Sequence, residues 1–336
     1  MNVLIVKFGA LGDVVRTSYF AEPLRKKWGK KLNLIWITSP TAKEVLDGNP
    51  HINSVVTDFH FLRSLQFNHI YSLDDEETII REVSKLKTNK LSGAYMQGDA
   101  RQYTDDVSLW FDMGVLSRFG LSVANRLKRE NTLSHGTIFA KIFDVDAPKY
   151  SNYLATSESV TNRTGDWGLN LTAGTRWPSK SLPIDSARNL ISALLSRGGF
   201  RNLVLLGGDS EVTFLKSIKE FFYDEPRVIC CNTRSDVRGF ASKIKLLDLL
   251  ITADTFAMHL AISQAIPVIA FFTVTSAAEV DAESYIRKIL MSGQDYCSYN
   301  PELKKVTVDL SDFLIAVDDF CNFKATNSEV THVVKK

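Results

Sequence analysis

Five stretches of this sequence combine residue types that can do chemistry. Asp13 follows directly on the glycine turn Gly9-Ala10-Leu11-Gly12, which closes the apolar run Asn2 to Lys7. A carboxylate there suits a general base for a bound hydroxyl. It equally suits a helix N-cap, a place Asp fills readily. The loop Thr172-Ala173-Gly174-Thr175-Arg176-Trp177-Pro178-Ser179-Lys180-Ser181 is small, basic and glycine-containing. Its backbone N–H groups, with Lys180 and Arg176, make an anion cradle of the kind a phosphate needs. Surface loops of this composition also occur without a ligand. Asp254 and Thr255 precede His259 at helical spacing, and His259 taken alone reads as a buried helix histidine bonded to backbone. Gly207-Gly208-Asp209-Ser210-Glu211 is a further loop carrying glycine, hydroxyl and acid. Asp74-Asp75-Glu76-Glu77 has the acidity favoured in a first helical turn; the alternative is that Asp74 or Asp75 faces a substrate.

The elements around these residues explain their places. In the first half, apolar runs at Asn2 to Lys7, Leu32 to Thr38, Asn53 to Val56, His69 to Leu73 and Lys90 to Tyr95 read as strands. Helical patterns follow Asp13, Ser39-Pro40 and Asp74, and Pro23 is expected to kink or shorten the first helix. Tyr103 to Met113 is amphipathic, and Phe139 to Phe143 is apolar. The alternation starts afresh after a polar linker at Asn162 to Asp166. Strands are predicted at Trp167 to Leu171, Asn202 to Leu206, Arg227 to Cys231, Leu247 to Thr252 and Pro267 to Phe272, the last clear one. A helix spans Asp236 to Leu246. Leu310, Phe313, Leu314 and Val317 then form one helical stripe. This βαβα order predicts an α/β fold of parallel sheets with helices on both faces. The reactive residues fall at strand carboxyl ends, where such sheets bind ligands. A chain of 336 residues suits two domains. The expected division is 1–160, 161–309, a helix over 310–323 that returns toward the first domain, and a polar tail over 324–336.

Composition narrows the function classes. The chain is 45% apolar and 23% charged with a net charge of +2, which is no signature for nucleic acid. Its start lacks the basic n-region of a signal peptide, and no apolar stretch reaches membrane-spanning length. Cys230, Cys231, Cys297 and Cys321 form no C-x-x-C pair, and the six histidines are scattered. That argues against a zinc site and a disulfide framework, and for a reduced, cytoplasmic protein. The first turn is not G-x-G-x-x-G, and the second strand ends in Thr38-Ser39-Pro40 without the acid that holds a ribose. No P-loop motif occurs either. A nucleotide site belongs in the second half, and an NAD-dependent oxidoreductase is a distant alternative.

Taken together, the motifs resemble those of glycosyltransferase family nine, the heptosyltransferases. LIVKFGALGDVVRT is similar to that family's N-terminal motif, and LIWITSPTAKEVLDGNPHI to its second-strand region. TAGTRWPSKSLP resembles its donor-phosphate loop; LLGGDSE and ADTFAMHLAISQAIPVIAFF resemble its nucleotide-binding segments. The resemblance covers nearly the whole chain. It implies a GT-B architecture, two facing Rossmann-like doubly wound domains with a cleft between them. It also implies inverting, metal-independent transfer of a heptose from an ADP-sugar to a hydroxyl, with no resident cofactor. Asp13 is then the base. Lys180, Arg176, Thr175, Thr255 and His259 bind donor phosphate, while Gly208, Glu211, Asp254 and Phe256 bind nucleotide and sugar. Gly12, Arg16, Asp74 and Asp75 are acceptor-side candidates. The implied partners are a nucleotide-sugar donor and a glycan, glycolipid or other hydroxyl acceptor, in lipopolysaccharide core or other surface-glycan assembly, with peripheral contact at the inner membrane. A protein or small-molecule acceptor is the alternative. So is a nucleotide-sugar-binding protein without catalysis, because Phe256 stands where the family usually has glycine and Phe272-Thr273-Val274-Thr275 where Gly-Pro-Thr is common.

Overall fold

The computed structural model describes residues 1–151, 153–154, 163–174, 177–231, 237–303 and 306–333, with side chains to 326. The chain forms two compact units. One comprises Met1–Ser157 with Ala278–Asp281, and the other Glu158–Ala277 with Ala282–Lys336. The boundary expected after residue 160 lies outside the described residues.

The first unit is a six-stranded sheet. Its strands are β1 (Asn2–Val6), β2 (Asn33–Ile37), β3 (Ser54–Val56), β4 (His69–Ser72), β5 (Leu91–Gln97) and β6 (Ala100–Tyr103), in the order β3-β2-β1-β4-β5-β6. All neighbours are parallel except β6, which returns antiparallel along β5. Val3, Leu4, Ile5 and Val6 are all fully buried, as expected of a central parallel strand covered on both faces. Leu4 and Val6 pack with Ile35, Ile37, Phe67, Ile70 and Val83. Elsewhere in the unit Phe20, Tyr71 and Phe143 pack ring to ring at 4.6 to 5.0 Å.

The helical pattern after the first turn divides into α1 (Leu11–Ser18) and α2 (Ala21–Trp28). Pro23 is the third residue of α2. There its missing N–H removes no helical bond, so the break falls before it rather than at it. Next come α3 (Pro40–Leu46), capped by Ser39, and α4 (Glu77–Val83). The acidic run does not open α4 at Asp74, as expected; the helix begins at Glu77. Its remaining helices are α5 (Ser108–Phe111), α6 (Leu121–Glu130) and α7 (His135–Phe143).

The second unit has an all-parallel sheet of six. Its strands are β7 (Trp167–Asn170), β8 (Leu203–Leu205), β9 (Val228–Cys230), β10 (Leu249–Ala253), β11 (Val268–Phe272) and β12 (Ile286–Leu290), in the order β9-β8-β7-β10-β11-β12. β12 escaped the sequence reading because it is an edge strand, with charged Arg287 and Lys288 interrupting its apolar run. The helices are α8 (Ile184–Arg197), α9 (Val212–Phe221), α10 (Val237–Lys245), α11 (Phe256–Ser263) and α12 (Leu310–Val333). α12 packs on the second unit's own core. Phe313, Ala316, Val317 and Phe320 of α12 are buried in the second unit's core with Trp167, Leu194 and Phe271. Its apolar stripe finds its partner beside α8, β11 and β12. The helix also continues past 323, where the sequence suggested a tail.

Both sheets carry the same strand order, 3-2-1-4-5-6 in each unit's own count. Each therefore has a switch point between its first and fourth strands, at whose carboxyl edge ligands bind in such folds.

One buried network in the first unit holds a histidine whose titration is moved well below neutrality. His69 Nε2 meets Ser92 Oγ at 2.7 Å, and Ser92 Oγ donates to Asp106 Oδ2 at 2.5 Å. The serine lies between histidine and carboxylate and is wholly buried, so this is a structural bond chain and not a nucleophile with its base. Burial, helped by the Lys90 charge, holds His69 down at about 4. The unfolded chain takes up this proton near pH 6.5, while the folded chain resists it until about 4. Stability is therefore expected to fall as pH drops through this window, by up to about 3 kcal/mol. Urea unfolding against pH should show the slope, and His69→Gln should flatten it.

Candidate functional site

At the first unit's switch point the chain leaves β1 through Lys7, Phe8, Gly9 and Ala10 and enters α1. Across the switch point, β4 is followed by Leu73 and Asp74. Asp74 is 2% exposed. Its Oδ2 accepts the N–H of Phe8 at 2.6 Å and of Gly9 at 3.0 Å. Asp74 thus supports the loop from beneath, a role that neither the helix-dipole reading nor the alternative of a substrate contact described. Asp75 is half-buried; its N–H meets Asp74 Oδ1, and its carbonyl accepts from Arg101.

Asp13 is the third residue of α1. The N-cap is Ala10, so Asp13 is not the cap. Its Oδ1 lies 2.8 Å from Arg16 Nη2, one helical turn on, and its Oδ2 lies 3.8 Å from Lys7 Nζ. Lys7 Nζ also donates to the Leu73 carbonyl at 3.2 Å. The side chain of Asp13 is 33% exposed, against 11% for Lys7 and 14% for Arg16. The carboxylate is the open member of this cluster. Gly9 keeps it open: a Cβ there would stand 2.8 Å from Lys7 Nζ and 3.4 Å from Asp13 Oδ2. Gly12 is buried within α1.

The second unit builds its site at the equivalent edge. The loop after β7 ends in a short turn, Pro178–Lys180, and Lys180 Nζ reaches Asp254, just past β10. The ammonium lies 2.8 Å from Asp254 Oδ2 and donates to the Asp254 carbonyl at 3.2 Å. Thr275 Oγ1 donates to the same Oδ2 at 2.8 Å. His259 Nε2 stands 3.9 Å from Oδ1. Burial alone would push the Asp254 carboxyl up. The charges of Lys180 and His259, with the bonds from Lys180 and Thr275, instead hold it down at about 2. It is ionised at neutral pH, and an anion that recruits Lys180 must share it with this carboxylate.

Around this pair, Asn170 at the end of β7 orients the next shell. Its Oδ1 accepts from Thr255 Oγ1 at 2.9 Å, and its Nδ2 donates to the Leu206 carbonyl. Thr255 is the N-cap of α11, and Phe256 is that helix's first residue. Phe256 has a negative φ. A first-turn N–H there lacks an intrahelical acceptor whatever the side chain, so phenylalanine in place of glycine brings no backbone strain. Thr273 Oγ1 donates to the Ser179 carbonyl, so the Thr273-Val274-Thr275 segment braces both the Lys180 turn and Asp254. Glu211 caps its own turn: Oε2 accepts the Gly208 N–H at 2.6 Å, and Oε1 accepts the Ser210 hydroxyl. Gly174, at a φ of +68°, would place a Cβ 3.4 Å from Glu211 Oε1. Thr175 and Arg176 lie outside the described residues.

The structure therefore gathers Asp13 with Arg16, and Lys180 with Asp254 and His259; Thr255 joins the latter group through its carbonyl, which accepts the His259 N–H. Lys7, Asn170 and Thr275 were missed as site residues. The available signal was a polar residue closing an apolar strand run, as in Val6-Lys7 and Leu169-Asn170. Among the described residues no group of three His, Cys, Asp or Glu side chains is placed to hold a metal ion.

Removing the support beneath the first loop tests its weight. Asp74→Ala leaves the Phe8 and Gly9 amides without their acceptor and is expected to cost about 2–3 kcal/mol by urea unfolding. Asp74→Asn, whose side-chain carbonyl still accepts, should lose less.

Residues 126–308, just over half the chain, match the model of "Glycosyltransferase family 9 (heptosyltransferase)". No curated protein matches the chain in sequence. Among solved structures, the E. coli ADP-heptose lipopolysaccharide heptosyltransferase II is 14% identical, with a TM-score of 0.66 over 97% of this chain and 100% of that one. E. coli heptosyltransferase WaaC with ADP is 16% identical, with a TM-score of 0.63 over 95% and 100%. A glycosyl transferase family 9 protein from Veillonella parvula DSM 2008 is 15% identical, with a TM-score of 0.69 over 95% and 96%. The shared fold is the GT-B class, built from two Rossmann-like units.

Proposed function

Because this chain belongs to glycosyltransferase family 9, the heptosyltransferases, we propose that it transfers a heptose from ADP-heptose to an acceptor hydroxyl with inversion, in lipopolysaccharide core or other surface-glycan assembly. The observation that carries this reading is Asp13: an open carboxylate at the carboxyl edge of the first switch point, ringed by more deeply buried cations. The like-folded structures include an ADP-heptose heptosyltransferase and one with ADP, which supports the donor.

In this reading the acceptor oxygen attacks the anomeric carbon, the bond to the diphosphate breaks, and ADP leaves. Asp13 takes the hydroxyl proton, a role that typically contributes 10²–10⁴-fold. Arg16 and Lys7 keep it ionised but make it a weaker base. That is tolerable when the sugar has become cation-like before the proton moves, as in glycosyl transfer generally. Charge gathering on the leaving diphosphate is met by Lys180, released in part from Asp254, and by the first-turn amides of α11. Arg176 and Thr175 belong to the same proposed phosphate group, with Thr255 and His259. Gly208 and Glu211 are assigned to the nucleotide, and Asp254 and Phe256 to the donor sugar. Gly12, Arg16, Asp74 and Asp75 remain assigned to the acceptor side. This mechanism invokes no metal ion and no resident cofactor.

The protein is proposed to work in the cytoplasm, in peripheral contact with the inner membrane. Among the described residues no helix is long and apolar enough to cross a membrane.

Mass spectrometry of ADP-heptose incubated with a panel of glycan, glycolipid, protein and small-molecule acceptors tests the reaction. Heptosylation is expected on a glycan or glycolipid. Binding of ADP-heptose with no product on any acceptor would turn the reading to a binding protein. Asp13→Ala is expected to lower turnover at least about 100-fold with ADP affinity unchanged by calorimetry; wild-type turnover removes Asp13 from the chemistry. Lys180→Ala should weaken ADP binding about tenfold, the scale of a charge-assisted bond, and unchanged affinity would discount that role.

A further inference from the structure

Glu279 lies far along the sequence from Asp13 but belongs to the same unit. Its side chain is only 8% exposed and faces two cations. Oε2 lies 3.5 Å from Arg16 Nη1, and Oε1 lies 3.6 Å from Lys128 Nζ. Both cations also stand over the indole of Trp110, at 5.2 Å for Arg16 and 5.7 Å for Lys128. The other terminal nitrogen of Arg16, Nη2, is the one that holds Asp13 Oδ1. The guanidinium is thus gripped on one prong by Glu279, on its face by Trp110, and on the second prong by Asp13.

We propose that Glu279 is a positioning residue for the transfer reaction: by fixing Arg16 it sets the orientation and the basicity of the Asp13 carboxylate. This rests on the reading of Asp13 as the base. A guanidinium is planar, so anchoring one prong and one face determines where the second prong points. Arg16 also divides its charge between two carboxylates. Without Glu279 more of that charge would fall on Asp13, leaving a weaker base on a looser partner. Among the described residues, Lys7 at the end of β1 and Arg16 on α1 face Asp13; Asp13, Glu279 and the Tyr19 hydroxyl face Arg16; and Lys128 of α6 faces Glu279. Asp74 spends its Oδ2 on loop amides.

The test is Glu279→Gln, which keeps the shape and removes the charge. Carboxyl-carbon NMR titration, with the Asp13 signal assigned by its loss in Asp13→Asn, reads the base directly. The Asp13 titration should move to lower pH in Glu279→Gln. The acid limb of the kcat–pH profile should move with it, measured with ADP-heptose and heptose-free lipopolysaccharide core. At neutral pH kcat should fall about tenfold with KM for ADP-heptose unchanged, and Glu279→Asp should recover part of the loss. A folded Glu279→Gln protein with wild-type titration and kcat overturns the inference. If that variant does not fold, Arg16→Lys decides. It keeps the charge but cannot fork to both carboxylates, so it should lose kcat similarly; wild-type kcat would overturn the inference. An inactive Asp13→Asn beside a wild-type Glu279→Gln defeats this inference alone. A fully active Asp13→Asn instead defeats the reading of Asp13 as base.

Discussion

In each unit an ionisable carboxylate just past the fourth strand is taken out of water and spent on the loop that follows the first strand. Asp74 accepts the amides of Phe8 and Gly9, and Asp254 accepts the ammonium of Lys180 and the hydroxyl of Thr275. A switch point leaves a crevice with loops on both sides, and loops there have no sheet partner to hold them. A buried carboxylate needs donors, and a loop needs an anchor. Each requirement meets the other: Phe8 and Gly9 in the first unit, and Lys180 in the second, find their partner within their own unit.

The two anchors leave different chemistry behind. In the first unit the donors are backbone amides, so the cations of the site remain directed at Asp13. The result is an open carboxylate with charged neighbours. In the second unit the donor is the cation itself, so Lys180 is stored against Asp254. Breaking such a pair by deleting one partner is costly because the other charge stays buried. In the proposed reaction the leaving diphosphate offers Lys180 a replacement, and Thr275 with His259 remains to keep Asp254 ionised. Asn170 serves both needs, bracing Thr255 at the start of α11 and the Leu206 carbonyl beyond β8.

The apolar framework holds these groups still. β1 is buried on both faces, and the second unit's core extends to α12, whose Phe313, Val317 and Phe320 close over Trp167 and Phe271. Only against that rigid background does a side chain such as Arg16 keep two carboxylates and an indole at fixed distances.

Much of this was legible in the sequence. Runs of Val, Ile and Leu ending in glycine turns specify buried parallel strands, because such a strand can satisfy its side chains only inside a two-faced sheet. Asp13, Lys180 and Asp254 were legible as residues in the segments that follow strand runs, and His259 by its helical spacing from Asp254. What the sequence did not carry was pairing across distance. Asp74 sat in an acidic run that local rules assign to a helix start, and only the tertiary structure turned it beneath the first loop. The last helix had a readable stripe but not a readable partner. Lys180 and Asp254 are 74 residues apart, and Glu279 is further still from Arg16. Periodicity reports which face of an element is apolar. Which charge meets which is decided when parallel strands are brought side by side, and that needs the folded sheet.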